Sequence, residues 1–211
     1  SAFGQQTPGN LPPLPDGPLI QLHAAENLRW VVTYNPRKGA TEEASAPAKG
    51  GKGEYSRRDA FTKSKGFILM QSSVPPRQVK ERWIVGEWQF FKNRRANRYT
   101  AYNASSFDGM TPGDDLYIDL SQTDFPGFEW IKKEDYAGVR KVMGRECLVF
   151  RRSGEGKETT AYVDARTRYP VVLVKGDETR VYEFQRAPAI QLPEEIRQDL
   201  QKRAPQKEAA R

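Results

Sequence analysis

Few residues of this 211-residue chain are of the kinds that carry nucleophilic or metal chemistry. It contains a single histidine, His23, and a single cysteine, Cys147. One cysteine cannot form an internal disulfide, and these two residues cannot assemble the usual zinc sites. No Gly-x-Ser-x-Gly motif is present to raise a serine nucleophile. We expect His23, beside a proline-rich segment, at the surface, and Cys147, in the run ECLVF, as a small buried side chain.

Acidic residues offer a weaker route to chemistry. The aspartates between Asp108 and Asp115 could hold a hard cation, but they lack the alternating ligands of an EF-hand. The acids between Glu129 and Asp135 could supply one member of a glycosidase pair, although a chain with 27 acidic residues offers such groups by chance. No glycine-rich phosphate loop follows a strand. We predict a protein that is not an enzyme, with no metal and no cofactor, and carboxylate chemistry stays open.

Basic residues are concentrated in one stretch of this chain, whose net charge is +7. The cations are Arg77, Lys80, Arg82, Lys92, Arg94, Arg95 and Arg98, opposed only by Glu81 and Glu87. The stretch is either a solvated strand face or a surface for anionic partners such as lipid head groups, nucleic acid or glycans. Bases that alternate with tryptophans are typical of single-strand platforms. However, Trp83 shares an inward face with Val79 and Val85, and no nucleic-acid-binding signature occurs, so we expect no nucleic-acid partner.

The elements that position these residues are mostly strands, because β-branched and aromatic residues alternate with polar ones. The segments from Leu19 to Asn27 and from Leu116 to Leu120 could each be a strand or a short helix. The C-terminal segment LPEEIRQDLQKR (residues 192–203) is predicted to be a helix, with Ile196 and Leu200 on one face. Predicted strands are Leu28–Tyr34, Phe67–Ser72, Gln78–Val85, Trp88–Phe91, Tyr99–Asn103, Val139–Val142, Glu146–Arg151, Thr159–Asp164, Val171–Lys175 and Thr179–Phe184.

The chain divides into an arm, one domain and a tail. Residues 1–18 are rich in proline and form an N-terminal arm. Residues 19–192 form a single β-rich domain, interrupted at 36–58 by a low-complexity insertion that is either a mobile flap or a hairpin with a disordered tip. Residues 193–211 are a helix and tail. A chain that starts at Ser1 without methionine is typical of an exported protein after removal of its signal peptide, so we expect a periplasmic or cell-envelope location.

Aromatic residues fall mostly on predicted strands. They form either an ordinary core or the lining of a concave apolar pocket. The candidate ligand-binding residues are Trp30, Phe67, Trp83, Trp88, Phe90 and Phe150, with Arg82 and Arg94 available for an anionic head group.

The C-terminal half carries a set of motifs in a characteristic order. They are FPGFEW (125–130), YAG (136–138), GRECLVF (144–150), AYVD (161–164) and TRYPV (167–171). In these the chain resembles the periplasmic lipoprotein-carrier (LolA-like) superfamily, over roughly residues 83–193. The resemblance implies an antiparallel sheet curled around an apolar cavity, and proteins of this kind bind acyl chains or lipidated proteins. The helices that fill the cavity in that family have no clear counterpart here.

We therefore predict a mainly β fold of the α+β kind: a curled antiparallel sheet, or incomplete β-barrel, with one or a few helices including the C-terminal one. The predicted function is binding of a hydrophobic or amphipathic ligand, such as a lipid or lipidated protein, with an anionic membrane surface as a second partner. The alternative is a structural or interaction module of the envelope with a filled core. The sequence leaves the oligomeric state open.

Overall fold

The computed structural model describes residues 12–34, 57–74, 78–93, 97–103, 123–154, 157–187 and 189–203. These residues form eleven strands, a 3₁₀ turn at Lys133–Asp135 and a C-terminal helix, α1 (Glu194–Arg203). The strands are β1 (Leu28–Tyr34), β2 (Arg58–Ser64), β3 (Phe67–Val74), β4 (Gln78–Val85), β5 (Trp88–Asn93), β6 (Arg98–Asn103), β7 (Tyr136–Val142), β8 (Arg145–Gly154), β9 (Lys157–Asp164), β10 (Pro170–Lys175) and β11 (Glu178–Arg186).

The eleven strands form one antiparallel sheet that does not close. Their order is β6-β5-β4-β3-β2-β1-β11-β10-β9-β8-β7, so β6 and β7 are the edge strands. Strands that follow one another in the chain are neighbours in the sheet from β1 to β6 and from β7 to β11, as in hairpins, and β1 lies next to β11. The predicted mainly β fold, with an antiparallel sheet and a C-terminal helix, is confirmed.

Two compact units divide the chain. The first comprises Ser1–Ala24, Val31–Arg58 and Gln122–Glu183, and the second comprises Ala25–Trp30, Asp59–Ser121 and Phe184–Arg211. The first unit thus contains β7 to β10, and the second contains β3 to β6 together with α1.

Two segments differ from their predicted structure. β2, with the sequence RDAFTKS, was not predicted, because four of its seven residues are charged or serine and have low strand propensity. Residues 19–27 form neither a helix nor a strand. Their backbone bonds to other parts of the chain instead; for example, the N–H of Gln21 donates to the carbonyl of Arg168 at 2.8 Å. The segment 116–120 lies outside the described residues.

The predicted insertion lies between β1 and β2, which are neighbours in the sheet. Tyr34 N–H donates to the carbonyl of Arg57 at 2.9 Å, so the two strands approach each other at the base of the insertion. This arrangement agrees with the hairpin alternative for its base. Residues 36–56 lie outside the described residues.

A loop between Phe125 and Trp130 packs on the sheet of the first unit. Phe125 and Phe128 have no exposed surface, and both meet the ring of Tyr182 edge-on, at 6.4 and 5.4 Å between centroids. Gly127 lies so close to β10 that a Cβ there would come within 3.1 Å of Leu173 Cδ2, and its φ of +99° also favours glycine. The FPGF motif is therefore a packing motif, in which glycine permits close approach and two phenylalanines fill the core.

The turn between β9 and β10 is organised by Asp164. Its Oδ1 accepts hydrogen bonds from the backbone N–H groups of Arg166 and Thr167, at 2.9 and 2.8 Å. Burial raises the pKa of Asp164, but these N–H donors favour the carboxylate by more, so the pKa lies below its usual value. Asp164 therefore caps this turn.

Replacing Asp164 tests that role. Because two hydrogen bonds are lost, Asp164→Ala should lower the free energy of unfolding by about 1–2 kcal/mol near neutral pH, measured by urea denaturation. Asp164→Asn keeps the acceptor oxygen and is the control. The carboxylate is stabilising above the pKa of aspartate in the unfolded chain, and this contribution is lost as the pH falls through the lower folded-state pKa. The difference between wild type and Asp164→Asn should therefore shrink in acid; a difference independent of pH would contradict this assignment.

Candidate functional site

Four of the predicted ligand-binding residues meet on one face of the second unit. Phe67, Trp83 and Phe90 are buried there, and Trp88 packs against them. Trp83 pairs with Phe90 across β4 and β5, and Phe67 lies 5.8 Å from Trp83 between ring centroids. Alternation along β3, β4 and β5 places these side chains on the same side. We call this surface, made by Phe67, Trp83, Trp88, Phe90 and Tyr99, the aromatic face.

Helix α1 covers the aromatic face. Ile196 is the one buried residue of this helix, with no exposed surface, and Leu200 one turn later packs on the same cluster. Ile190 and Leu192, in the segment before the helix, also contact it. At the end of α1, the guanidinium of Arg203 stacks over Trp88, 4.4 Å from the ring centroid. The apolar helix face predicted from Ile196 and Leu200 therefore lies on the aromatic residues of the sheet.

A polar network borders the aromatic face. One carboxylate oxygen of Glu81 accepts hydrogen bonds from Trp83 Nε1 at 2.9 Å and from the Tyr99 hydroxyl at 2.6 Å. Burial and the neighbouring carboxylate of Glu81 raise the pKa of Tyr99 to about 12. The backbone N–H of Tyr99 donates to Glu195 Oε1 at 3.2 Å, which fixes the start of α1 to the edge strand β6. These polar groups orient the rings and the helix, and Tyr99 stays a neutral donor.

Arg82 lies on the opposite face of the same strands. It is 5% exposed, its Nη1 donates to Gln89 Oε1 at 3.3 Å, and its guanidinium lies over Phe91 at 4.2 Å. Trp30 also belongs to this opposite face. Its ring stacks on Phe61 of β2, with 5.1 Å between ring centroids. Phe61 is on the same side of β2 as Asp59, which accepts a hydrogen bond from Ser72 on the opposite face of β3. Arg82 therefore cannot contact a ligand bound on the aromatic face.

The remaining candidates lie elsewhere. Phe150 belongs to the first unit, where it is buried and packs against Tyr136 with 6.0 Å between centroids. Arg94 lies outside the described residues. Among the described cations of the basic stretch, Arg82 is buried while Lys80, Lys92 and Arg98 are exposed, so these four do not form one continuous charged surface. Of the candidates in the second unit, four share the aromatic face, and Trp30 and Arg82 lie on the opposite one.

Most residues considered for catalysis have structural partners. His23 is exposed, as expected. Glu129 accepts from the Gly127 N–H at 2.7 Å, and Asp135 is in a salt bridge with Arg152 at 3.2 Å. No group of three or more His, Cys, Asp or Glu side chains that could hold a metal ion occurs among the described residues. The aspartates from 108 to 115 lie outside that part of the chain.

Cys147 is fully buried in the first unit. It packs with Val171, Val172 and Val181. Burial, and then the negative charge of Asp164, raise the pKa of its thiol to about 11. A thiol in this environment is protonated at neutral pH and is not a nucleophile, which confirms the prediction of a small buried side chain.

No family model matches this chain, and no curated protein matches its sequence. The resemblance to the lipoprotein carriers therefore stays a prediction. Among the described residues, no helix is both long and apolar enough to cross a membrane.

Sequence reasoning missed the residues that surround the aromatic face. Glu81 and Tyr99 are neighbours only because β4, β5 and β6 pair in one register, and no local signal in the sequence connects them. Arg203 lies within the predicted helix, but nothing in the sequence indicates its contact with Trp88. The one usable signal was the spacing of Ile196 and Leu200, which indicates an apolar contact without identifying its partner.

The state of Cys147 can be checked directly. With a pKa of about 11, roughly one thiol in a thousand is ionised at pH 8, against roughly one in four for an unperturbed cysteine. We expect native protein to react with Ellman's reagent at least about 100-fold more slowly than the same protein in concentrated urea. Reaction of the native protein at the unfolded rate would show that the thiol is accessible and would reopen thiol chemistry.

Proposed function

We propose that this is a non-enzymatic protein of the cell envelope that binds a hydrophobic or amphipathic ligand, such as a lipid or a lipidated protein. The ligand binds on the aromatic face and takes the place of α1. The observation that carries this proposal is the mismatch between the face and its cover. Four large aromatic side chains and Tyr99 are covered by a ten-residue helix that contributes one fully buried side chain.

Helix α1 makes few fully buried contacts with the aromatic face that it covers. Helices of this length are marginal on their own in water, so α1 depends on its contacts with the sheet. Full burial of an aliphatic side chain such as Ile196 contributes about 1.5–3 kcal/mol, and a partly exposed cation–π contact such as that of Arg203 contributes about 0.5–1 kcal/mol. Local opening of α1 breaks these contacts and that of Leu200 but leaves the pairing of β3 to β6 in place. It therefore costs less than unfolding of the whole unit, and unfolding of a domain takes about 5–15 kcal/mol.

Opening would expose a surface suited to an apolar chain. The rings of Phe67, Trp83 and Phe90 offer flat, rigid contact area, and such linings are common in sites for apolar ligands. A ligand that binds only the open form shifts the equilibrium toward it by mass action. The buried area that α1 gives up is then replaced by contact with the ligand.

The polar end of an amphipathic ligand has cationic neighbours on this side. Lys92 pairs with Tyr99 across β5 and β6, and its ammonium lies 5.8 Å from that ring. While α1 is in place, Arg203 at its end is a second cation on this side. Lys92 thus takes the place that the sequence-based hypothesis gave to Arg82, which lies on the other face.

A structural or interaction module is the second candidate function. One observation favours it: the side chain of Ile196 is completely buried against the aromatic face, as a core residue would be. In that case α1 is a permanent part of the core. The two candidates differ in what happens when the helix is loosened.

Loosening α1 should increase ligand binding. Ile196→Ser removes the main apolar contact, so we expect the affinity for the fluorescent fatty acid 11-(dansylamino)undecanoic acid to rise by roughly tenfold, the change that about 1.4 kcal/mol produces. Trp83→Ala should abolish binding. The matched controls are Gln198→Ser on the exposed side of α1, and Tyr102→Ala, an aromatic residue on the opposite face of the same strands.

Urea denaturation of each variant shows whether it is folded. If Ile196→Ser lowers stability and leaves probe binding unchanged or absent, the face is an ordinary core and the structural module is correct. Native mass spectrometry of gently purified Ile196→Ser provides a second readout, because a carrier should retain lipid.

A further inference from the structure

The hairpin turn between β7 and β8 carries an apolar side chain at an unusual position. Met143 and Gly144 form a two-residue turn, with φ of +50° and +74°, and β7 and β8 pair on either side from Val142 and Arg145. Such turns favour Asn or Asp before the glycine, because a side chain disfavours this backbone conformation. A Cβ added at Gly144 would meet nothing within 4 Å, so the turn projects into open space. Methionine here is not explained by turn geometry.

Cations surround this turn. Arg140 and Lys141 precede it in β7, and Arg145 follows it. The turn between β9 and β10 lies beside it, because Ala165 N–H donates to the Glu146 carbonyl at 2.9 Å, and it adds Arg166. Within the described part of the chain none of these four cations is in a salt bridge.

The acids nearby only partly offset these charges. The carboxylate of Asp164 is bound by the backbone N–H groups of its own turn, and the other acid is Glu146, which is exposed. Four cations against two acids leave a net positive surface around the turn. We call this surface, formed by Arg140, Lys141, Met143, Arg145 and Arg166, the basic turn surface.

The apolar part of this surface is anchored in the protein. Val142 and Met143 are partly buried and pack against the cluster of Cys147 and Val181. The side chain of Met143 is thus partly covered by the core and partly exposed at the turn. A short apolar group ringed by long basic side chains matches the interface of a bilayer, where apolar groups enter between lipids and cations stay at the head groups.

We propose that the basic turn surface docks the protein on a bilayer that contains anionic lipids, with Met143 entering the head-group region. The inference rests on the proposed function, since a lipid-binding protein must meet a membrane to exchange its ligand. A membrane fits better than a nucleic acid because the centre of the surface is apolar. A phosphate backbone would engage the cations but would make no apolar contact with the exposed part of Met143.

Vesicle co-sedimentation tests the proposal. The probes are phosphatidylcholine vesicles with and without a minority of phosphatidylglycerol, at low and at high salt. We expect binding only with the anionic lipid and weaker binding at high salt. Lys141→Gln with Arg145→Gln should lower the partition coefficient by roughly 30-fold, since each basic residue near an anionic surface is worth roughly fivefold. Lys133→Gln with Lys175→Gln, which removes two exposed cations of the same unit, should change it little.

Met143→Ser separates a membrane from other polyanions. It leaves the charge unchanged and should still weaken binding to anionic vesicles. Equal binding to vesicles without phosphatidylglycerol, or no effect of either substitution at the turn, overturns the proposal. So does tight binding of a single-stranded oligonucleotide that is lost in the Lys141/Arg145 variant and unaffected by Met143→Ser. Probe binding by α1 variants is measured without vesicles, so a failure of docking is distinguishable from a failure of the proposed ligand site.

Discussion

The contact between Ile196 and the aromatic face is the interaction that closes one face of the second unit. A sheet has two faces, and each apolar face must be covered. In β3 to β6 the aromatic face has a cover that is short and polar on its outer side, with charged residues at six of the ten positions of α1. Ile196 is the one fully buried side chain of this cover, and Leu200, Ile190 and Leu192 pack beside it on the cluster that contains Trp83 and Phe90.

Strand alternation then separates groups that adjoin in sequence. Arg82 and Trp83 are consecutive in β4, so their side chains point to opposite sides of the sheet. Arg82 is buried against Phe91 and Gln89, while Trp83 shares Glu81 with Tyr99. The sequence-based hypothesis combined Arg82 and Trp83 in one ligand site because they are neighbours in the chain. The sheet excludes that combination for any ligand that contacts only one face.

Local patterns were sufficient for ten of the eleven strands and insufficient for the site. β1 and β4 have the predicted bounds, because their branched and aromatic residues have strong strand propensity. β2 was missed because its stability comes from a contact that sequence does not display: Asp59 is fully buried and accepts a hydrogen bond from Ser72. Membership of the aromatic face likewise depends on register, which is set by pairings such as Trp83 with Phe90. The helix was predicted, but its partner surface was not.

The polar groups around the aromatic face are bonded to one another. One oxygen of Glu81 accepts two hydrogen bonds, from Trp83 and Tyr99. A general acid must give up its proton near the working pH. Tyr99, with a pKa of about 12, holds its proton too firmly. These groups instead keep the rings in fixed orientations, and a fixed aromatic surface lowers the entropic cost of binding an apolar ligand.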